Sequence, residues 1–177
     1  MFPTMDPRYP IGKFQRPKSV DAEALQSAIS AIAAAPAQLS AAVQGLTAEQ
    51  LDTPYRDGGW TVRQVIHHVP ESHLNAYTRV KLALTEQHPT VRPYDEGAWA
   101  VTPDVASTPI GVSLLLTEAL HARWVQLLRG MQPDQWARTL RHPESGDWRV
   151  DELMTLYAWH GAHHAAQITG LRQRSGW

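Results

Sequence analysis

The sequence predicts an all-α protein, a four-helix bundle, on three observations. Four long stretches carry apolar residues at helical spacing. Several of their boundaries fall on helix punctuation: capping boxes, a proline at a first turn, a closing glycine. The apolar–polar alternation that marks strands is weak throughout. Four long helices with short or crossing connections pack as a bundle, and bundles build metal sites from inward side chains on facing helices.

The first long helix is read from about Asp21 to Gln44. Leu25, Ile29, Ile32, Leu39, Val43 and Leu46 give a broken apolar stripe. The alanine-rich run 28–42 favours helix, and Pro36 is expected to kink or interrupt it. "TAEQ" at 47–50 has the form of a capping box and starts a short helix. The second long helix follows "DGGW". It opens on "TVRQ" at 61–64, another capping box, and runs to about Glu86. A proline-rich connection then spans 88–109, with prolines at 89, 93, 103 and 109. That is long for a loop, so a functional role or a path folded over the bundle is expected. The third long helix starts at Thr108-Pro109, with proline as its first helical residue, and ends at Gly130. "HPESGD" at 142–147 reads as a turn, and the fourth long helix runs from about Val150 to Arg172.

Composition narrows the function. The 177 residues suit one domain spanning 1–177, with no internal repeat. Hydrophobic residues at 43% and charged residues at 19% are those of a soluble globular protein. A net charge of −1, with scattered Lys and Arg, speaks against nucleic acid as a partner. The absence of cysteine excludes disulfides, thiolate zinc sites and a cysteine nucleophile, and fits a cytoplasmic location. No 18-residue apolar run exists, so no membrane span is expected. "MFPTMDPRYPIGKF" lacks the basic head and apolar core of a signal peptide.

The chemistry lies in nine histidines. His67, His68 and His73 belong to the second long helix, and His160, His163 and His164 to the fourth; His88, His121 and His142 are scattered. Each helical residue advances about 100°, so residues four apart stand about 40° apart on one face. His160 and His164 therefore stack, flanked by Leu153, Leu156 and Leu171 on the same side. This is the geometry by which a His-x-x-x-His pair holds zinc. His163 is turned toward a flank. On the second helix, Thr61, Gln64, Glu71, Ser72, Asn75 and Arg79 fall within about 60° of His68. Val62, Val65, Val69, Leu74, Leu82 and Leu84 wrap the same helix, so the polar stripe reads as a cavity wall or a solvent face. Gln64 has a competing role in its capping box. A zincin peptidase needs His-Glu-x-x-His, but Gly161 follows His160, so that base is missing. Three neutral histidines would leave the ion's charge uncompensated and favour an anionic fourth ligand.

The chain resembles the DinB/YfiT family of metal-binding four-helix bundles, and within it the YfiT branch of metal-dependent hydrolases. The resemblance covers nearly the whole chain. It rests on "YPIGKF" at 9–14, "LDTPYRDGGWTVRQVIHH" at 51–68, "SHLNAYTRVKLALTE" at 72–86 and "RPYDEGAW" at 92–99. It continues through "LHARW" at 120–124, "HPE" at 142–144 and "YAWHGAHHAAQI" at 157–168. It implies a DinB-like bundle whose metal ligands are His68, His160 and His164. It also implies one divalent ion per chain, zinc or nickel, and a homodimer. Two departures stand out. "HHVPESH" at 67–73 replaces the family's usual "HHLADSH", so Glu71 stands for aspartate and Pro70 is expected to bend the helix just beyond His68. Gln167 stands where the family usually carries a further histidine.

Three functions follow from the resemblance and the residues. A hydrolase would use the metal to activate water on a small-molecule substrate. A thiol S-transferase, of bacillithiol or mycothiol type, would use it to form a thiolate, and a cysteine-free chain cannot be trapped by its own thiol partner. A non-catalytic metal-binding bundle is the third. For either enzyme, Glu71 is the candidate base or partner of a ligand imidazole. Asn75 and Arg79 are the candidate substrate contacts, with a salt bridge as the plain role for Arg79. Tyr94, Asp95 and Trp99 are placed to cover the pocket or simply to pack the connection onto the bundle.

Overall fold

Helix α1 (Ala22–Val43) begins where the Asp21 carboxylate accepts the Ala24 N–H, and runs unbroken through Pro36. The computed structural model describes residues 6–177; Met1 to Met5, part of the stretch read above for a signal peptide, lie outside them. Both expected capping boxes form. Thr47 opens α2 (Ala48–Leu51), and Thr61 opens α3 (Val62–Thr85). In each, the hydroxyl accepts the third amide while Gln50 or Gln64 returns the bond, satisfying two amides that a helix start leaves free. The Gln64 amide also donates to the Ala100 carbonyl at 2.9 Å, so the same side chain ties α3 to the proline-rich connection.

α3 runs as one helix across Pro70. The proline-rich connection holds α4 (Glu96–Trp99) and α5 (Pro103–Ser107). One expectation needs correction. Pro109 is the cap of α6 (Ile110–Arg129) rather than its first residue, and Gly130 closes that helix as expected.

After a 3₁₀ turn (Pro133–Ala137) comes a small hairpin the sequence reading left as a turn. β1 (Thr139–His142) pairs antiparallel with β2 (Gly146–Arg149), with Leu140 opposite Trp148. Each strand has only four residues and one buried side chain, too little alternation to register as a pattern. Gly146 takes φ +82°, a left-handed turn position that suits glycine. The proline-rich connection locks onto this hairpin, since Val91 and Arg141 exchange amide bonds with the Arg141 and Pro89 carbonyls at 2.9 Å. The chain ends in α7 (Val150–Ser175), three residues longer than read.

The long helices form a four-cornered bundle. α1 packs on α7 and α6, and α3 packs on α6 and α7. α1 and α3 thus stand at opposite corners, as do α6 and α7, so two of the three successive steps cross a diagonal. Two apolar clusters fill the interior. One gathers Ile29, Ile32, Val80, Trp124, Leu140 and Met154. The other gathers Leu39, Val43, Val62, Ile66 and Ile168. Along α7 the histidines lie between the residues of the two clusters; on α3 His73 does so, while His67 and His68 sit within the second, between Ile66 and Val69. Among the described residues no helix is long and apolar enough to cross a membrane.

Thr61 holds the N-terminus of the helix that carries His68. Thr61→Ala is expected to lower unfolding free energy by about 1 kcal/mol, read as a lower denaturation midpoint at unchanged helix content.

Candidate metal centre

α3 and α7 present three imidazoles to one point. His160 Nε2 lies 3.3 Å from His68 Nε2 and 3.2 Å from His164 Nε2. Each of the three residues offers one ligand atom within 4.8 Å of the others. His68 and His164 are buried, and His160 is partly open. The i, i+4 spacing stacks the pair on α7, and the close packing of α7 on α3 brings in His68.

The arrangement fits a metal. Tetrahedral nitrogens at roughly 2.0–2.1 Å from a zinc ion lie about 3.3–3.4 Å apart, close to the separations seen. The protons agree. Gln167 Nε2 faces the Arg8 carbonyl at 3.4 Å, so its oxygen is the atom that accepts from His164 Nδ1 at 2.8 Å. A neutral His164 then keeps a bare Nε2 lone pair aimed at the other rings. Gln167 therefore holds the His164 ring in the tautomer that a metal would need. Burial keeps the rings neutral. It holds His68 down at about 4, and pushes His160 and His164 well below the ordinary imidazole range, with neighbouring histidines adding to the effect.

Gly161 explains why α7 can come so close. A Cβ there would meet Ala35 Cβ at 3.1 Å and His73 Cε1 at 3.6 Å. The peptidase glutamate is thus absent from a position where even a Cβ would press on Ala35.

The three rings open on a cleft of about 400 Å³. Trp60, Leu140, Trp148, Leu153, Leu156 and Tyr157 supply most of its wall. Arg79 lines it too, donating to the Arg92 carbonyl at 3.2 Å and reaching the Tyr157 hydroxyl at 3.5 Å. Among the described residues it forms no salt bridge. Glu71 and Asn75 do not line this cleft. Glu71 turns toward α5, where burial and the nearby Asp104 carboxylate raise its pKa. Asn75 donates to the Glu71 carbonyl and lines a separate hollow with Tyr94, Asp95 and Trp99. The reason is rotational: Glu71, at i+3 from His68, falls on the opposite flank of that residue from Ser72, at i+4, and only Ser72 faces the cleft.

Several lining residues escaped the sequence reading. Tyr157 stands one turn before His160, a usable signal. Trp60 immediately precedes the α3 cap and sets its ring edge-on to His68, with centroids 4.7 Å apart. Glu96, the carboxylate of the cleft wall, comes from α4, and His142 and Trp148 come from the hairpin. Nothing in their local sequence points to the histidines.

Fold and site together define a class: a four-helix bundle whose facing helices bring three histidines together beside a cleft, in an arrangement that could hold a metal ion. The chain belongs to the DinB superfamily, whose model matches residues 31–168. It is 49% identical over 172 residues to a Bacillus mycoides protein named as a candidate metal-dependent hydrolase, covering 97% of this chain and 99% of that one. A Bacillus cereus protein of the same description matches equally. Among solved structures, YfiT from Bacillus subtilis superposes with a TM-score of 0.94 at 45% identity, over 97% of this chain and 98% of that one. It is described as a metal-dependent hydrolase candidate with an unusual four-helix bundle topology. TT2238, another four-helix bundle protein, shares the fold at a TM-score of 0.55 and 19% identity, over 86% of this chain and 99% of that one.

The depressed His68 pKa gives the metal-free protein a pH signature. Above the ordinary value of 6.5, neither the folded nor the unfolded ring takes a proton, and His68 leaves stability unchanged. Between 6.5 and about 4 the unfolded ring binds a proton that the folded ring refuses, so stability falls as pH falls. The denaturation midpoint of chelator-treated protein is expected to drop through that window, and His68→Gln to flatten the drop.

Proposed function

We propose that the protein is a metal-dependent hydrolase of the YfiT type acting on a small molecule. His68, His160 and His164 would hold one divalent ion, zinc or nickel. The observation that carries this reading is the convergence of three neutral imidazole nitrogens, with no carboxylate among them, at the wall of an open cleft. A structural zinc is closed by four protein ligands, which speaks against a purely structural role. When bound, such an ion polarises a carbonyl or phosphoryl oxygen and acidifies a water.

The chain's own residues supply the rest. Trp60, Leu140, Trp148, Leu153 and Leu156 exclude water and receive the apolar part of the substrate. Arg79, without a carboxylate partner, anchors an anionic group. Glu96, His142 and Tyr157 also line the wall, and Glu96 and His142 are placed to take or give a proton. Glu71 lies outside the cleft, beside the Asp104 carboxylate of α5.

A second reading, transfer of a small thiol to an electrophile, draws support from the same open position and the cysteine-free chain. One assay separates the two. Protein purified without chelator is expected to carry one metal ion per chain, and His68→Ala, His160→Ala and His164→Ala to lose it. The loaded protein is expected to hydrolyse activated esters, with activity falling to background in those variants. Turnover only when a thiol and an electrophile are supplied together would replace hydrolysis by S-transfer. A parent protein without metal would sink both. For anionic substrates, Arg79→Met is expected to raise KM about tenfold while leaving neutral esters unchanged.

We also propose a homodimer. Val112, Leu115 and Leu116 on α6 are 54%, 67% and 45% exposed. Val112 and Leu115 border a groove between α1 and α6. An exposed apolar strip of this kind along one helix suits a second copy. Light scattering is expected to report twice the chain mass for the parent protein and the single chain mass for Leu115→Lys.

A further inference from the structure

Behind the metal centre a line of hydrogen bonds runs through all four long helices. His160 Nδ1 lies 3.0 Å from His73 Nε2. His73 Nδ1 lies 2.8 Å from His121 Nε2. His121 Nδ1 lies 2.6 Å from the Ile32 carbonyl oxygen. These four residues belong to α7, α3, α6 and α1 in turn. His73 and His121 are fully buried, and among the described residues no carboxylate bonds to any of the rings.

The far end fixes the protons. A carbonyl only accepts, so His121 Nδ1 carries the hydrogen. A neutral His121 then has a bare Nε2, which accepts from His73 Nδ1–H. His73 in turn accepts at Nε2 from His160 Nδ1–H. His160 is left with a bare Nε2, the atom that faces His68 and His164.

Why is the Ile32 carbonyl free to accept in mid-helix? In an α-helix its partner is the N–H four residues on. That residue is Pro36, which has none. The proline that α1 tolerates without breaking is the one that exposes the acceptor.

We propose that Pro36, His121 and His73 are positioning residues that set the tautomer of the metal ligand His160 from the first helix. The proposal rests on the metal reading of the three-histidine site. The chain orients and does not conduct: it ends on an amide oxygen, which is no base and cannot pass a proton on. It also ends without a charge. His160 therefore reaches the metal as a neutral ligand, unlike a histidine backed by a carboxylate, and the centre keeps its full appetite for an anion in the open position.

Nitrogen-15 NMR of the metal-free full-length protein reads the tautomers directly. Hydrogen on Nδ1 is expected at His160, His73 and His121. Zinc affinity, measured by chelator competition, gives a second readout. His73→Phe removes both bonds and is expected to weaken zinc binding about 10- to 100-fold. His73→Gln keeps a donor and an acceptor and is expected to restore most of that affinity. Pro36→Ala keeps the fold and supplies a competing N–H to Ile32. It is expected to shift the His121 Nδ1–H resonance and to weaken zinc binding roughly two- to fivefold. Hydrogen on His160 Nε2 in a parent protein that binds zinc would overturn the relay alone. So would Pro36→Ala holding zinc as tightly as the parent with an unshifted His121 resonance. A parent that binds no zinc or nickel would instead overturn the site on which the relay acts.

Discussion

The interaction on which the rest depends is the imidazole layer crossing the middle of the bundle. A buried imidazole without partners is costly, because its ring nitrogens lose water and gain nothing. Here each long helix supplies a partner: Ile32 a carbonyl, His121 and His73 rings, and His160 a ring that also faces the metal position. Among the described residues, buried side-chain nitrogens without a partner are His67 Nε2 and His163 Nδ1 at the flanks of this layer, and Trp124 Nε1 nearby. The two apolar clusters provide the burial that holds the helices together. The histidine line requires that they meet in one register.

The cleft follows from what covers that layer. A bundle alone would leave His68, His160 and His164 on a bare flank. The hairpin and the proline-rich connection, bonded to each other through Val91 and Arg141, build the wall over them. Gln64 joins the system by capping α3 and holding the Ala100 carbonyl. Site geometry and local helix chemistry are thus linked: the residue that starts the helix carrying His68 also anchors the segment that contributes Glu96.

Much of this is legible in the residues. The capping boxes at Thr47 and Thr61 and the closing glycine at 130 act through neighbours a few residues away, so a local pattern suffices to read them. The stacked pair His160 and His164 is equally local. Glu71 shows where such reading stops. It shares a helical stripe with His68, but α5 lies against that side and draws it away from the cleft. An interruption at Pro36 was one expectation, and a bend at Pro70 another; both helices continue through their prolines because packing on neighbouring helices outweighs one lost bond.

By itself the sequence determined the helices, their ends and the pairing of two histidines on one face, because these depend on contacts within a turn or two of the chain. The family resemblance implied that His68 joins them, but only the tertiary structure decided how that ring reaches the pair, which residues wall the cleft, and how the Ile32 carbonyl comes to face His121. Those partners lie far apart in the chain, His68 and His160 by ninety-two positions. What brings them together is the burial of apolar faces on four helices at once, and no local spacing encodes that.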